Sequence, residues 1–476
     1  MVQLPKAFIQ AMTGLLGPAD CQAFSDALQE DAAVSFRPNG RKGFRAADGL
    51  SPVAWSSLGY YLSGRPAFTY DPLLHAGAYY VQEASSMAIE QALQALSSVP
   101  RRVLDLCASP GGKSTLLRSL LPDGTLLVSN EPLTQRAQVL AENMQKWGHP
   151  DCLVTTDYPR DFGALGGYFD LIAVDAPCSG EGMFRKDNPA LDLWSPANVR
   201  TCAQRQREIL SDVWPALREG GHLIYSTCTY NLEENELNVD WICRHLGAET
   251  IALDIDPSWG IIGNLARQPH HVYHFMPHKT RGEGFFFALL RKTSPAPDAV
   301  RPGKVKAKFR NTSSVPIITK LTPDLQRLLK SDVQWQALTV ADETYAIPAS
   351  MIDDFRLLAG RLNVISAGVP LTVIRGHKVQ PHPALPLSIA MGDNAFPRAE
   401  ISKAQALDYL RHQTLTLPSG TPRGYVVITY QDTPLGLANN LGSRANNLYP
   451  MSWRIRSGYT QEWDNKFCTR ITDTKS

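Results

Sequence analysis

The sequence predicts an α/β fold built on a doubly wound, Rossmann-like parallel sheet. Between residues 101 and 292, short apolar segments alternate with segments of helical pattern. Each apolar segment is continuous and is bounded by Gly or Pro, which is typical of a strand buried on both faces. Strands that alternate with helices favour a parallel sheet with right-handed crossovers. The chain of 476 residues is longer than one hydrophobic core serves, so we expect further domains beside this sheet.

Five strands and the helices that connect them can be placed along this segment. The predicted strands are residues 103–107, 125–131, 153–157, 169–177 and 222–228. The predicted helices are residues 113–121, 133–147, 197–217 and 233–246, and residues 284–292 close the sheet in a hairpin-like end. Ligands of open parallel sheets bind beyond the carboxyl ends of the strands. The residues that follow each strand are therefore the candidates for a functional site.

Four domains are expected along the chain. An α+β region, residues 1–98, precedes the sheet domain, residues 99–293. Residues 293–304 are rich in Pro and small side chains, which indicates a domain boundary before an intermediate domain at 305–385. In that domain we expect short strands and turns with a helix at 323–331. The last domain, residues 386–476, combines a helical segment with Tyr- and Val-rich strands and Asn-rich turns. We predict a small β-rich module there.

The composition excludes several classes of protein. Hydrophobic residues make up 43% and charged residues 19% of the chain, which excludes bulk disorder. The eight cysteines contain no C-x-x-C pair, so we expect neither a structural zinc, nor any other metal, nor a disulfide framework. No apolar run reaches the ~18–20 residues of a membrane span, and the N-terminus lacks the pattern of a signal peptide. We predict a soluble, cytoplasmic protein.

The charge distribution is informative only locally. A net charge of +2 neither requires nor excludes a polyanionic partner. Residues 265–310, however, carry ten Lys and Arg against two acids. Such a stretch is either a surface that faces phosphates or a solvated linker.

A Gly-Gly turn after the first strand indicates a cofactor site. In DLCASPGGKS, residues 105–114, glycines let the backbone approach a ligand and leave helix N–H groups free. The spacing is neither that of a dinucleotide loop nor that of a Walker A loop. Glu131, Asp157 and Asp175 end the next three strands, where Glu131 suits a ribose diol and Asp157 an adenine amino group. These acids fit S-adenosylmethionine, although each one alone could also cap its loop.

Cys178 and Cys228 follow the fourth and fifth strands, so both thiols are expected in the ligand crevice. A thiolate that adds to C6 of cytosine breaks the aromaticity of the ring and makes C5 reactive toward a methyl donor. Asp175 would then contact N3, and a second thiol would assist release. Spacing alone does not say which thiol attacks. The cysteines that fit the buried, structural role of most free thiols are Cys21, Cys152, Cys202, Cys243 and Cys468.

Over residues 34–292 the chain resembles the RNA 5-methylcytosine methyltransferases. The motifs that carry this resemblance are YYVQEASS, DLCASPGGKS, VDAPCSGEGMFRKDNP and YSTCTYNLEENE, with Glu131 at the end of the second strand. The resemblance implies a class I methyltransferase sheet, with Cys228 as the nucleophile and Cys178 as the thiol that promotes release. The positions that it assigns to S-adenosylmethionine are Cys107, Ala108, Ser109, Pro110, Gly111, Gly112, Lys113, Glu131, Asp157 and Asp175. The acid-rich segment at residues 233–236 is expected to cap a helix N-terminus.

The last domain is similar to the PUA-like RNA-binding module of some bacterial members of this family. The resemblance implies that the N-terminal region and this module bind RNA, with residues 301–310 contributing positive charge. It also implies a cytidine in small-subunit (16S) ribosomal RNA as the target, with no membrane or DNA partner. The Lys and Arg residues of the module are dispersed, so its RNA contact is the weaker expectation.

Other functions stay open at this stage. The enzyme could methylate another RNA, or cytosine in DNA, where the Pro-Cys thiol attacks and Cys228 would be idle. An RNA-binding ribosome assembly factor would not need the Cys, Asp and Gly-Gly positions that the chain retains. A dehydrogenase is disfavoured because the dinucleotide glycine pattern is missing.

Overall fold

The computed structural model describes residues 2–186, 188–298, 317–458 and 465–471. Its central sheet contains five parallel strands, as predicted: Arg102–Asp105, Leu126–Asn130, Cys152–Thr155, Phe169–Asp175 and Leu217–Thr227. Three antiparallel strands close one side of this sheet: Ala248–Thr250, Tyr273–Phe275 and Phe285–Lys292. The first parallel strand lies in the middle, between the second and the fourth. The chain therefore reverses direction across the sheet there, and ligands bind at such switch points.

The sheet is doubly wound because its strands are apolar on both faces. Adjacent strand residues point to opposite sides, and the pairs Val103 and Leu104, and Leu171 and Ile172, each divide between two separate hydrophobic clusters. All four side chains are fully buried, and burial of one such side chain contributes about 1.5–3 kcal/mol. The helices that cover the two faces are Gly112–Leu120, Thr134–Trp147, Pro159–Phe162, Pro196–Val213 and Glu236–Trp241, while Asn188–Leu193 packs with the N-terminal helices.

The N-terminal region is α+β, as predicted. Its residues 53–92 share a hydrophobic cluster with the helices Gly112–Leu120 and Thr134–Trp147, and its first two helices pack against residues 184–199. It contains the helices Lys6–Leu16, Pro18–Ala27, Pro72–His75 and Ile89–Gln94. Its three-stranded antiparallel sheet has the order Tyr60–Leu62, Val34–Pro38, Tyr79–Val81. A further strand, Phe44–Ala46, pairs with Cys468–Arg470 at the other end of the chain.

Two β-rich units follow the central sheet. The first is an antiparallel sheet of Ile317–Lys320, Trp335–Val340, Glu343–Pro348, Val369–Arg375 and Lys378–Pro381, with the helices Pro323–Gln326 and Ile352–Ala359. A further strand, Val364–Ala367, follows the helix Ile352–Ala359. It pairs antiparallel with Cys152–Thr155 and extends the central sheet. The second unit contains Arg398–Glu400, Gly424–Tyr430, Thr433–Asn440 and Ala445–Asn447, with the helix Lys403–Leu410.

Two predicted helices are shorter than the sequence pattern suggests. The helix expected at 233–246 begins at Glu236, because the Asn235 backbone is not helical and its side chain bonds to Thr227 and to the Thr229 carbonyl. The helix expected at 323–331 ends at Gln326. Among the residues described above, no helix is both long and apolar enough to cross a bilayer.

Candidate active site

A cavity of about 380 Å³ opens at the carboxyl ends of the parallel strands. The Gly-Gly turn forms one wall with Cys107, Ala108, Ser109, Pro110, Gly112 and Lys113. The N-terminal region forms a second wall with Tyr80, Val81, Gln82, Glu83 and Ser86. The third wall holds the strand ends Asp175, Cys228 and Phe285. The predicted cofactor turn and a predicted catalytic thiol thus share one cavity.

The Gly-Gly turn has the shape that its sequence predicts. Gly111 has φ +116°, a left-handed conformation that side chains disfavour, and it begins the helix Gly112–Leu120. A Cβ atom on Gly111 would lie 3.4 Å from Asn143. The Asn143 amide also donates to the Pro110 carbonyl at 2.7 Å, which fixes the turn from behind. The backbone is therefore held close to the cavity at the N-terminus of a helix.

Arg37 supports this turn from the N-terminal region and was not anticipated from the sequence. Its Nη2 donates to the Gly112 carbonyl at 3.0 Å and to Thr115 Oγ1 at 2.7 Å, and its Nε donates to Gln82 Oε1 at 2.7 Å. The side chain is completely buried, and burial lowers the pKa of Arg37 to about 9. The segment SFRPNG gives no local signal for this role, because the partners lie more than 40 residues away.

Asp175 has two partners beside the cavity. Lys113 Nζ lies 2.7 Å from Asp175 Oδ2, and Ser226 Oγ donates to Asp175 Oδ1 at 2.9 Å. Burial opposes the charge of Lys113, but Asp175 outweighs it and holds the pKa of Lys113 above its usual value. The lysine therefore stays protonated near neutral pH and keeps a positive charge in the cavity.

The acidic side chains in and around the turn indicate whether it suits a cationic cofactor. Ser114 Oγ donates to Asp105 Oδ2 at 2.6 Å, whereas Oδ1 is buried and has no hydrogen-bond partner in the described part of the chain. Burial raises the pKa of Asp105 to about 7. Asp105 itself does not line the cavity, but the acids Glu83, Asp175 and Glu283 do, and acids in the cavity wall suit a ligand that carries positive charge. The residues present therefore fit S-adenosylmethionine.

Cys178 and Cys228 lie next to each other, with 3.1 Å between the two Sγ atoms. This separation is longer than a disulfide bond of about 2.05 Å, and both cysteines are free. Cys228 lines the cavity and Cys178 does not. The hydrogen bond to Cys228 and burial raise the pKa of Cys178 well above its usual value. Cys178 is therefore a protonated thiol at neutral pH, hydrogen-bonded to the sulfur that faces the cavity.

Glu131 and Asp157 stand at the predicted strand ends but outside the residues that line the cavity. Glu131 Oε1 accepts the Leu133 N–H at 3.1 Å. Asp157 accepts two hydrogen bonds from Asn363, one from its backbone N–H at 2.9 Å and one from its side chain at 3.1 Å. Asn363 is 206 residues further along the chain, so the spacing around Asp157 gives no sign of this partner.

Two of the five described Lys and Arg residues of the basic stretch make their contacts within the fold. Lys292 is buried and donates to the backbone carbonyls of Trp214 and Leu217. Arg291 pairs with Glu249. These two cations are thus used within the fold, and residues 301–310 lie outside the described residues.

The chain matches three models of one protein family. Residues 94–291 match the 16S rRNA methyltransferase RsmB/F model, residues 4–84 the N-terminal domain of 16S rRNA methyltransferase RsmF, and residues 396–455 the methyltransferase RsmF PUA domain. Ribosomal RNA small subunit methyltransferase F of Erwinia tasmaniensis is 32% identical over 472 residues, which cover 94% of this chain and 96% of the relative. The same protein of Escherichia coli O157:H7 is 32% identical over 417 residues, which cover 84% of each chain.

The chain belongs to the 16S rRNA methyltransferase RsmB/F family. The predicted family, the PUA-like domain and the S-adenosylmethionine-dependent class of enzyme are thereby confirmed. Two solved structures show the same fold. A methyltransferase homolog protein from Pyrococcus horikoshii is 24% identical with a TM-score of 0.52, and covers 61% of this chain and 96% of its own. NSun6 from Pyrococcus horikoshii with SFG is 21% identical with a TM-score of 0.51, and covers 61% and 98%.

Proposed function

We propose that the protein methylates C5 of a cytidine in small-subunit ribosomal RNA through a covalent bond between Cys228 and C6 of the base. The observation that carries this proposal is that the Cys228 sulfur faces the same cavity as the cofactor turn, with the Cys178 thiol 3.1 Å behind it. Membership of the RsmB/F family supports the ribosomal substrate. The relatives named ribosomal RNA small subunit methyltransferase F support the small subunit as partner.

The base must leave its stack to reach this cavity, since C6 of a stacked cytosine is covered by its neighbours. Cys228 loses its S–H proton to solvent, and its sulfur forms a bond to C6. The π electrons of the C5–C6 bond then move from C6 to C5 and through C4 toward N3. We assign to Asp175 the hydrogen bond at N3, which draws these electrons toward the ring nitrogen. When bound at the Gly-Gly turn, S-adenosylmethionine supplies an electrophilic methyl group. The residues assigned to hold it are those of the turn, with Glu131, Asp157 and Asp175.

Release requires that a base from the solvent takes the C5 proton. The electron pair of the C5–H bond then re-forms the C5–C6 double bond, and the bond between Cys228 and C6 breaks. The electron pair of that bond returns to the Cys228 sulfur. The raised pKa of Cys178 keeps its S–H proton in place to donate a hydrogen bond to this sulfur. We therefore assign to Cys178 the stabilisation of the leaving thiolate.

The alternatives differ in which thiol attacks and in whether any thiol is needed. A DNA-type enzyme would attack with Cys178, but Cys178 is not among the residues that line the cavity. An assembly factor without catalysis would need neither the sulfur pair nor the charged pair Lys113 and Asp175. Methylation of a different RNA would use the same residues and is separated only by the substrate.

The test is methyl transfer from labelled S-adenosylmethionine to small-subunit RNA, offered both naked and in the assembled subunit, with large-subunit RNA as the control. We expect label in the small-subunit RNA and a single 5-methylcytidine on bisulfite sequencing. Label on another atom or another base would contradict the proposed chemistry. Label confined to the large-subunit RNA would contradict the proposed substrate.

A further inference from the structure

Two loops carry the cysteine pair, and each loop contains a buried glutamate whose carboxylate accepts hydrogen bonds from the other loop. The Pro-Cys loop, residues 176–182, contains Cys178 and Glu181. The Thr-Cys loop, residues 228–235, contains Cys228 and Glu234. Both glutamates are completely buried, with at most 1% of their surface exposed. Neither lines the cavity, so neither is placed to touch a substrate or cofactor.

Glu181 belongs to the Pro-Cys loop and binds the Thr-Cys loop. Its Oε2 accepts the backbone N–H groups of Tyr230 at 2.8 Å and Asn231 at 3.1 Å, and also the Thr229 hydroxyl. Its Oε1 accepts the Trp194 indole N–H at 2.9 Å. These contacts fix the three residues that directly follow Cys228.

Glu234 makes the opposite connection, from the Thr-Cys loop to the Pro-Cys loop. Its Oε2 accepts the Ser179 backbone N–H at 3.0 Å and the Gln206 side-chain amide at 2.7 Å. Its Oε1 accepts the Asn231 side-chain amide at 2.8 Å. The residue that follows Cys178 is therefore held by an acid of the other loop.

Two weaker links complete this arrangement. Gly182 N–H donates to the Cys228 carbonyl at 2.8 Å, and the hydroxyls of Ser179 and Thr229 are 3.1 Å apart. A buried carboxylate costs several kcal/mol unless its oxygens are hydrogen-bonded. Here all four carboxylate oxygens have partners, and most of the partners lie within three residues of a catalytic thiol. Burial, with Glu181 nearby, raises the pKa of Glu234.

We propose that Glu181 and Glu234 are positioning residues that form a reciprocal clamp, Glu181 setting the place of Cys228 and Glu234 that of Cys178. This inference rests on the proposed function, because it assigns the two thiols separate steps. It predicts that the two acids affect different steps of catalysis. A role in folding alone would instead weaken both steps together.

The first experiment measures how fast the two thiols form a disulfide in the absence of RNA and cofactor, since this rate depends on how they are held relative to each other. Diamide oxidises two adjacent thiols to a disulfide, and its N=N bond takes up the two hydrogens to become a hydrazine. The disulfide between Cys178 and Cys228 is followed by peptide mass spectrometry. We expect its rate of formation to fall about tenfold or more in Glu181→Gln and in Glu234→Gln.

Glu233→Gln is the matched control, because Glu233 lies beside Glu234 and makes none of the clamp contacts. Wild-type rates in this control together with slow rates in the two clamp variants support the proposal. Unchanged rates in both clamp variants would overturn it. If a clamp variant fails to fold, Thr229→Val removes the hydroxyl that contacts Glu181 and is measured instead, with the same expected slowing.

The second experiment separates the two catalytic steps in single turnover on small-subunit RNA. We expect Glu181→Gln to slow formation of the protein–RNA adduct, and Glu234→Gln to form the adduct but retain it on a denaturing gel. Equal loss of both steps in both variants would show a structural role only and overturn the clamp. A wild-type enzyme that gives no 5-methylcytidine would contradict the proposed function, while the diamide rates would still decide whether the clamp exists.

Discussion

Lys113 Nζ lies 2.7 Å from Asp175 Oδ2, although the two residues are 62 positions apart. Lys113 belongs to the cofactor turn, and Asp175 ends the strand that leads to Cys178. One charged pair therefore links the cofactor turn to the strand that leads to the cysteine pair. A change at either residue is expected to affect methyl transfer more than it affects the fold.

Replacement of Cys228 by Ala should abolish methyl transfer. Of the described cysteines, Cys107 and Cys228 line the cavity, and Cys107 belongs to the cofactor turn, so the variant lacks a thiol that could attack the base. We expect less than about one thousandth of wild-type turnover in a labelled-methyl assay. Binding of S-adenosylmethionine, measured by calorimetry, should be unchanged. Ordinary turnover in this variant would show that Cys228 is not the nucleophile.

Replacement of Cys178 by Ala should trap the enzyme on its RNA. The thiol that stabilises the leaving sulfur is then missing, while the attacking thiol remains. A band that resists denaturation and disappears on ribonuclease treatment is the expected result on a gel. If this variant turns over normally and forms no adduct, Cys178 has no part in release.

Replacement of Asp175 by Asn should lower methyl transfer about 10²-fold, because the proposed contact to N3 and the pairing with Lys113 are both weakened. Affinity for S-adenosylmethionine should change by only a few fold. Asp170→Asn is the control, since Asp170 lies on the same strand and pairs with Arg218 at its other end. A similar loss of turnover in both variants would point to a general defect of the strand.

Replacement of Arg37 by Met should weaken binding of S-adenosylmethionine. The variant loses the hydrogen bonds to the Gly112 carbonyl and to Thr115, which hold the cofactor turn. About a tenfold rise in Kd is expected, equivalent to about 1.4 kcal/mol. Arg45→Met, an exposed position of the same region, should bind normally. Unchanged affinity in the Arg37 variant would show that the turn keeps its shape without this side chain.

The buried Asp105 predicts how stability depends on pH. Its pKa is raised to about 7 by burial, so between about pH 4 and pH 7 the folded chain binds a proton that the unfolded chain has lost. Stability contributed by this group is therefore present at low pH and is lost as pH rises through 7. Asp105→Asn should remove this loss, which between pH 5 and pH 8 amounts to about 3 kcal/mol. Urea unfolding of both proteins without cofactor at pH 5 and pH 8 measures it, and an equal pH dependence would contradict the assignment.

Much of the fold follows from local sequence. The five parallel strands are short apolar segments between turn residues, and the pattern alone places four of them within two positions at each end. The fifth begins at Leu217, five residues before its predicted start. The cofactor turn and the two cysteines are also visible locally, because each lies where an apolar strand ends. The structure brings Cys178, Cys228 and Asp175 to the same end of the sheet for that reason.

The residues that sequence reasoning missed act over long separations. Arg37 reaches Gly112, and Asn363 binds Asp157, through hydrogen bonds that no spacing rule describes. Glu234 was expected to cap a helix, yet it is buried and binds Ser179 across the cysteine pair. The sequence pattern of an acid next to a helix start predicts a helix cap, and it is the same whether the carboxylate faces solvent or the interior. Only the packing of the two loops distinguishes these cases.

The strand Val364–Ala367 makes the central sheet depend on residues beyond the end of the methyltransferase segment at 293. It pairs with the edge of Cys152–Thr155, a strand whose four residues are all buried in the whole molecule. An excised catalytic segment would present that row of backbone groups to water, and such bare edges recruit strands from other copies. Residues beyond 293 therefore protect the edge of the catalytic sheet from association with other copies.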